Sequence, residues 1–219
     1  MLDKMIRMAT NRFDTKQVFY VAYATRGGKL VQKSDGKPDL RVRRTRLLLV
    51  QAMMDLTVER GYAEITVQDI AERAMVNRST FYRHFLDKDD LLNQCLDETF
   101  AVVKVPEQPG PEGAPIPLIR LIEQVQAHGE FFRVMLGEHG DPTFAERFRK
   151  AAEERYRYIL SVRGSKTGAD LPPIDLRLTY ATYAGLCGIS WWLENDQPCT
   201  PEVLANWISQ LSTTSIGLA

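Results

Sequence analysis

Apolar residues recur at intervals of three and four positions along most of this 219-residue chain. That spacing places side chains on one face of an α-helix, whereas a half-buried strand would alternate strictly. No strand-rich segment competes for the core, so the pattern predicts an all-α fold of about nine helices. Eight of the predicted helices span residues 43–60, 67 to near 75, 88–105, 118–128, 131–136, 143–162, 174–194 and 201–216. The ninth lies between the second and third of these and is capped at Asn77 or Ser79.

Residues 66–92 predict two short helices joined by a tight turn. Thr66 can accept a hydrogen bond from a free amide of the first turn, and Asp69 stands where the returning acid of a capping box belongs. The inward positions of the two helices are Val67, Ile70, Ala71, Ala74, Thr80, Phe81 and Phe85, and the outward positions of the second are Arg78, Ser79, Tyr82, Arg83 and His84. Each outward side chain carries a hydrogen-bond donor, which is typical of a helix that contacts DNA.

Two further helices flank this pair. Residues 43–60 place Leu49, Met53 and Leu56 on one face, and Gly61 is a C-terminal stop signal. Asp87 and Asp90 supply capping groups for a helix that begins at Lys88 and reaches about residue 105. We expect this last helix to link two domains.

Three strings stand in order within this region: T-V-Q-D-I-A-E-R-A-M-V, R-S-T-F-Y-R-H-F and D-K-D-D-L-L. By these strings, and by the upstream helix ending in E-R-G-Y, the chain resembles the tetracycline-repressor (TetR) type regulators. The resemblance covers about residues 41–100, and it extends over the remainder only through helical character and length.

The resemblance implies a three-helix head with a helix-turn-helix, followed by a larger C-terminal helical domain for effector binding and dimerisation. It implies a homodimer that binds a palindromic operator in double-stranded DNA, as a repressor released by an unknown small-molecule effector. Three alternatives stay open: an activator, a regulator controlled by a protein partner in place of a ligand, and a helical binding protein that has lost operator recognition.

The residues expected at the DNA come from the outward positions and from the resemblance. Ser79, Thr80, Tyr82 and His84 should face the major groove and its phosphates, with Tyr82 and His84 taken from the family's motif. Lys88 and Thr66 are expected on the DNA backbone, and Arg44 and Thr45 on adjacent phosphates. The complete predicted DNA-binding set is Arg44, Thr45, Thr66, Arg78, Ser79, Thr80, Tyr82, Arg83, His84 and Lys88.

The chain divides into three predicted parts. Residues 1–38 form an N-terminal extension with 8 basic and 3 acidic residues, which we expect to be poorly ordered although 16–25 is strand-like in composition. Residues 39–105 form the helix-turn-helix domain and the linking helix. Residues 106–219 form the C-terminal domain, which opens with a loop, 106–117, that holds five prolines and two glycines.

The C-terminal domain carries two expectations about binding. Residues 174–194 are apolar on two sides, so this helix should be buried on both, and together with 201–216 it should form a four-helix bundle with a second subunit. Gly185 and Gly188 would let two backbones approach. We also expect a mostly apolar ligand pocket between the helices starting near 118, 143 and 174, with Phe131, Phe132, Met135, Tyr156, Tyr180 and Tyr183 as its residues.

Composition limits the other classes of function. Net charge is zero overall, and residues 1–100 hold 17 Lys and Arg against 14 Asp and Glu, a modest excess. Two basic clusters flank the motif and favour phosphate contact: Arg41, Arg43, Arg44 and Arg46 at the entry to the first helix, and Arg78, Arg83 and Lys88 at the candidate recognition helix. The three histidines are scattered and the three cysteines stand far apart, so we expect no enzyme, no metal site and no cofactor. The chain shows no apolar run of membrane-spanning length and no signal-peptide core, so we expect a cytoplasmic protein that does not bind membranes.

Overall fold

The computed structural model describes residues 40–103, 116–137, 140–141, 143–163 and 172–216. Within these ranges the chain forms nine α-helices, one short 3-10 turn and no strand, which confirms the all-α prediction. The helices are α1 (Leu40–Arg60), α2 (Val67–Arg73), α3 (Arg78–Tyr82), α4 (Lys88–Ala101), α5 (Ile116–Ala127), α6 (Gly129–Leu136), α7 (Phe144–Arg163), α8 (Ile174–Glu194) and α9 (Pro201–Ile216), and the 3-10 turn is Tyr62–Glu64.

The N-terminal helices pack around a small apolar core. Leu49 and Met53 of α1, Ile70 of α2, and Phe81 and Phe85 at α3 are all buried. Burial of these side chains supplies the main stabilisation of the helix-turn-helix, because α2 and α3 are too short to be stable alone. We call this unit, residues 40–87, the head.

Side-chain caps begin α2 and α4 as the sequence predicts. The Asp69 amide donates to the Thr66 hydroxyl at 3.2 Å, and the Thr66 amide donates to the Asp69 carboxylate at 2.8 Å. Asp87 accepts from the Asp90 amide at 2.8 Å. Asp90 itself accepts from the Leu86 amide at 2.9 Å, so it ties down the chain entering α4 and does not complete a second capping box.

Residues after the head form a second, larger helical layer. Helices α5 and α7 to α9 pack on one another, α4 contacts α7, and α6 packs on α1. Five phenylalanine rings pack against one another, with neighbouring ring centroids 4.9 to 6.4 Å apart: Phe100 of α4, Phe131 and Phe132 of α6, and Phe144 and Phe148 of α7. This aromatic cluster joins α4 to α6 and α7, so the linking helix is anchored in the C-terminal layer.

Several helix boundaries in the structure differ from the predicted ones, two of them at a proline or a glycine. α1 begins three residues before the predicted start, and α4 ends at Ala101, short of residue 105. Pro117 lies in the first turn of α5, where a missing amide hydrogen costs nothing, and Gly129 opens α6 where it was expected to close the preceding helix. The extension 1–38 and most of the loops 106–117 and 164–173 lie outside the described residues.

Helix α8 is buried on one face within a single chain, and burial of its second face by a partner subunit stays a prediction. Leu178, Ile189 and Trp192 are buried, whereas Leu176, Tyr180 and Tyr183 are 60%, 47% and 53% exposed. The apolar character of the second face is therefore not explained by contacts inside the subunit.

The two glycines of α8 differ in their surroundings. A Cβ at Gly188 would lie 2.7 Å from Cγ1 of Ile208, so this glycine allows α9 of the same chain to approach closely. The predicted role of Gly188 between subunits is therefore replaced by one inside the subunit. A Cβ at Gly185 would meet no described atom within 4 Å.

Candidate nucleic-acid interface and C-terminal cavity

The orientation of α3 is set by two buried phenylalanines. Phe81 is 0% exposed, and its ring centroid lies 5.8 Å from that of Phe85. Because Phe81 faces the core, the adjacent Tyr82 must face away, and it is 48% exposed. Arg78, Ser79 and Arg83 are exposed beside it, and Thr80 and His84 are half-buried.

The outward side chains of α3 contact one another. An Arg78 Nη2 donates to the Tyr82 hydroxyl at 3.2 Å, and the guanidinium carbon lies 5.6 Å from the Tyr82 ring centroid. Arg83 Nη2 donates to the Thr80 hydroxyl at 3.1 Å. These contacts hold two guanidinium groups on the exposed surface of the helix, where both keep further donors for an acceptor-rich partner.

A role for Arg46 was missed at the sequence level. Its guanidinium lies 4.5 Å from the Phe85 ring centroid and donates to Gln94 Oε1 at 3.0 Å. Arg46 thus connects α1 to α4 beneath the end of α3. Burial of the imidazole, with Arg46 and Arg83 nearby, lowers the pKa of His84.

The remaining predicted DNA contacts lie near the ends of α1 and α2. Arg44 is exposed, and the Thr45 hydroxyl donates to the Arg41 carbonyl at 2.9 Å. Thr66 is exposed, but its hydroxyl is engaged in the capping box with Asp69. A contact from Thr66 to DNA would add to a structural role that the residue already has.

Lys88 is engaged at the first turn of α4. Its Nζ donates to the carbonyls of Tyr62 and Ile65 at 3.0 and 3.1 Å, and lies 4.6 Å from the Tyr62 ring centroid. A weaker contact of 3.5 Å reaches the Ala63 carbonyl. An ammonium group has three donors: two make the shorter contacts, and the third, in the weak contact with Ala63, is the one that a phosphate oxygen can take over.

The C-terminal helices line a partly open cavity of about 170 Å³. Its thirteen lining residues come from α5, α7, α8 and α9: Leu118, Leu121, Phe148, Ala152, Tyr156, Ala181, Thr182, Gly185, Leu186, Ile189, Ile208, Ser209 and Ser212. The small residues Ala152, Ala181 and Gly185 line it, and small side chains on packed helices are the sequence signal that would have indicated this space.

Of the six residues predicted for a ligand pocket, Tyr156 lines this cavity. Phe131, Phe132 and Met135 are buried in or beside the aromatic cluster, and Tyr180 and Tyr183 lie on the exposed face of α8. The structure therefore does not bring the six together, and their role in ligand binding stays a prediction.

Two protein-family models match this chain, one over the N-terminal helices and one over the C-terminal helices. Residues 49–95 match the family model for bacterial regulatory proteins of the tetR family, and residues 117–214 match the model for a transcriptional regulator C-terminal region. This chain belongs to the TetR family.

Individual relatives agree with this assignment. A solved TetR transcriptional regulator from Streptococcus agalactiae is 27% identical, with a TM-score of 0.59 over 80% of this chain and 96% of its own. The HTH-type transcriptional repressor Rv3405c of Mycobacterium tuberculosis is 45% identical over 49 residues, and the uncharacterized HTH-type transcriptional regulator YxbF of Bacillus subtilis is 38% identical over 66 residues. These stretches are 22% and 30% of this chain and only 26% and 17% of the respective relatives.

Among the described residues no group of three or more His, Cys, Asp or Glu side chains could hold a metal ion. In the same part of the chain, no helix has the length and apolarity needed to cross a membrane.

The predicted phosphate contact of Lys88 can be separated from its structural role in this TetR-type protein. We expect Lys88→Met to lower the slope of log affinity against log salt concentration by about one and to weaken all DNA sequences alike, because one phosphate contact is lost. Loss of the carbonyl contacts should also reduce the free energy of unfolding, by about 1–3 kcal/mol. Titration of operator DNA at several salt concentrations, beside urea unfolding, measures both.

Lys88→Arg is the matched control, since it keeps the charge and should keep the salt slope. A Lys88→Met protein with an unchanged slope and reduced stability would show that Lys88 only holds the 3-10 turn.

Proposed function

We propose that this protein is a homodimeric, sequence-specific DNA-binding transcriptional regulator of the cytoplasm, and that it acts as a repressor released by a small molecule. The observation that carries the proposal is the donor-rich outward face of α3 above the buried Phe81 and Phe85. A helix held in this way presents a rigid set of donors, which suits the edges of bases in the major groove.

The charged groups around α3 fit a DNA partner. Arg78 and Arg83 stand on the exposed face, and Arg44 lies near the start of α1. Guanidinium groups bind guanine edges and phosphates in bidentate fashion. In this arrangement α3 reads bases, while the start of α1 and the start of α4 contact phosphates.

Homodimerisation is supported by an exposed apolar face on the last two helices. On α8 it follows positions 176, 180, 183, 187 and 191, and on α9 positions 203, 207 and 211, with Trp191 and Trp207 among the exposed side chains. The spacing of three and four residues makes each set one continuous stripe. A two-fold dimer through these stripes implies a palindromic operator, with recognition helices roughly 34–36 Å apart on DNA.

Control by a small molecule is supported by the position of the cavity. Phe148 lines the cavity and meets Phe100 of α4 with ring centroids 4.9 Å apart. Helix α4 runs from this contact to Lys88, beside the head. A molecule that displaces Phe148 would tilt α4 and change the separation of the two heads of the dimer. A ligand that binds one separation ten to a hundredfold more tightly than the other, a difference of about 1.4–2.8 kcal/mol, is enough to switch DNA binding.

Repression is the direction of control that we propose, in line with the printed name of the Mycobacterium tuberculosis relative. That likeness covers only 22% of this chain, so the direction needs its own test. An activator would use the same head and the same dimer.

The proposal is tested by selecting binding sites from random duplex DNA and measuring affinity for the selected site. We expect a palindromic site, and we expect Arg83→Ala to weaken binding about 5- to 150-fold, because a base or phosphate contact contributes about 1–3 kcal/mol. Lys150→Ala is the matched control: Lys150 is an exposed basic residue on α7, far along the chain from α3, and its loss should leave affinity nearly unchanged.

Two results would contradict the proposal. One is the absence of any selected site, and the other is equal weakening by Arg83→Ala and Lys150→Ala. A reporter gene placed behind the selected site then decides the direction, since a repressor lowers expression and an activator raises it.

A further inference from the structure

The size of the C-terminal cavity limits what it can hold. Its volume is about 170 Å³. Sites for drug-sized ligands are larger, roughly 300–1,000 Å³, whereas an apolar cavity of about 150 Å³ takes up benzene. The space therefore suits a molecule of about one six-membered ring.

The wall of the cavity provides no charge. None of its thirteen described lining residues is Asp, Glu, Lys, Arg or His. The buried guanidinium of Arg149, on the same helix as three lining residues, is already paired with Glu146 and Glu153 at 2.8 and 2.6 Å. A buried ion without a partner is strongly disfavoured, so an anionic or cationic ligand does not fit this wall.

Two hydroxyl groups on the wall are available to a ligand. Among the described residues, the Tyr156 hydroxyl has no hydrogen-bond partner, and burial raises its pKa to about 12, so it remains a protonated donor at neutral pH. Thr182 already donates to the Leu178 carbonyl at 2.9 Å. Ser212 is a second hydroxyl without a partner in the described part of the chain, and it lies in the last turns of α9.

We propose that the cavity binds a neutral, mainly apolar molecule of one ring that carries a single hydrogen-bonding group, and that Tyr156 recognises this group. This proposal specifies the chemical class of the effector proposed above. Only the expected change in operator affinity on ligand binding rests on that proposed function. Phenolic compounds are the chemical class that meets all three conditions, because they are small, uncharged at neutral pH and able to accept from Tyr156.

Two pairs of probe molecules of matched shape test the class on the full-length protein by calorimetry. Phenol and toluene differ only in the polar group, and we expect phenol to bind about tenfold more tightly, the effect of one hydrogen bond. Benzamide and benzoate differ in charge, and we expect benzoate to bind at least thirtyfold more weakly than benzamide. Equal affinity of benzoate and benzamide would overturn the neutral character of the site.

Three variants locate the site. Tyr156→Phe should remove the preference for phenol over toluene, whereas Ser212→Ala should keep it. Gly185→Leu should abolish binding of both probes without unfolding the chain, because Gly185 lines the cavity and a Cβ at this position meets no described atom within 4 Å. If Ser212→Ala removes the preference and Tyr156→Phe does not, Tyr156 is not the recognising group.

The outcomes separate this proposal from the proposed function. Absence of binding by all four probes at millimolar concentration overturns the ligand class, whatever the protein does with DNA. Binding with the expected preferences, but with no change in operator affinity, supports the ligand class and contradicts the effector control. If the protein binds the probes with the expected preferences but selects no DNA site, the ligand class is supported and the proposed function as a DNA-binding regulator is contradicted.

Discussion

Replacing Phe81 by alanine is expected to lower the free energy of unfolding by about 3–5 kcal/mol, because the ring is large and fully buried. Phe81 is 0% exposed and contacts the rings of Tyr82 and Phe85 at centroid distances of 5.6 and 5.8 Å. Its loss leaves a cavity under α3, which has only five residues and no other anchor of this size. Urea unfolding followed by circular dichroism measures the change.

Tyr82→Ala is the neighbouring control, with the opposite expected pattern. Tyr82 is 48% exposed, so its truncation should change stability by less than about 1 kcal/mol, yet it should weaken operator binding because the ring belongs to the proposed DNA face. Comparable losses of stability in both variants would show that α3 does not present Tyr82 outward in solution.

Introducing a charge at Leu211 is expected to convert the protein from a dimer to a monomer at micromolar concentration. Leu211 lies on the exposed stripe of α9 and is 69% exposed in the single chain. In a two-fold interface each substitution acts twice, so Leu211→Glu should weaken dimerisation by about 4 kcal/mol, roughly a thousandfold, through lost apolar burial and unpaired charge. Light scattering over a concentration series measures the dissociation constant.

Leu40→Glu is the matched control for this dimer prediction. Leu40 is 67% exposed on α1, outside the stripe, and the same change there should leave the dimer intact. Operator affinity should also fall in the Leu211→Glu protein, since a monomer contacts one half-site. A Leu211→Glu protein that stays dimeric at micromolar concentration would show that the stripe is not the subunit interface.

The head was predictable because its signals are local. The capping box joins Thr66 and Asp69, three residues apart, so the residue types alone indicate where α2 begins. The burial of Phe81 and the exposure of Tyr82 follow from helical geometry once α3 is placed. The bounds of α8 and α9 also agree with the sequence prediction.

Two of the boundary errors share a cause. Pro117 was assigned to the preceding loop and Gly129 to the end of the preceding helix, yet each lies in the first turn of a helix. The first turn has free amides and permits either residue, so the type of residue does not distinguish an end from a start. The position of the neighbouring helices decides between them.

By itself the sequence determined the type and order of the helices, the inward face of the head and the family. Tertiary structure alone decided that Lys88 caps the 3-10 turn, that Gly188 faces Ile208, and that Tyr156 lines a cavity while Tyr180 and Tyr183 lie on the surface. Helical periodicity reports that a side chain lies on an apolar face, but it carries no information on what that face meets. Partners come from segments far apart in the chain, and a cavity is the space that their packed side chains fail to fill.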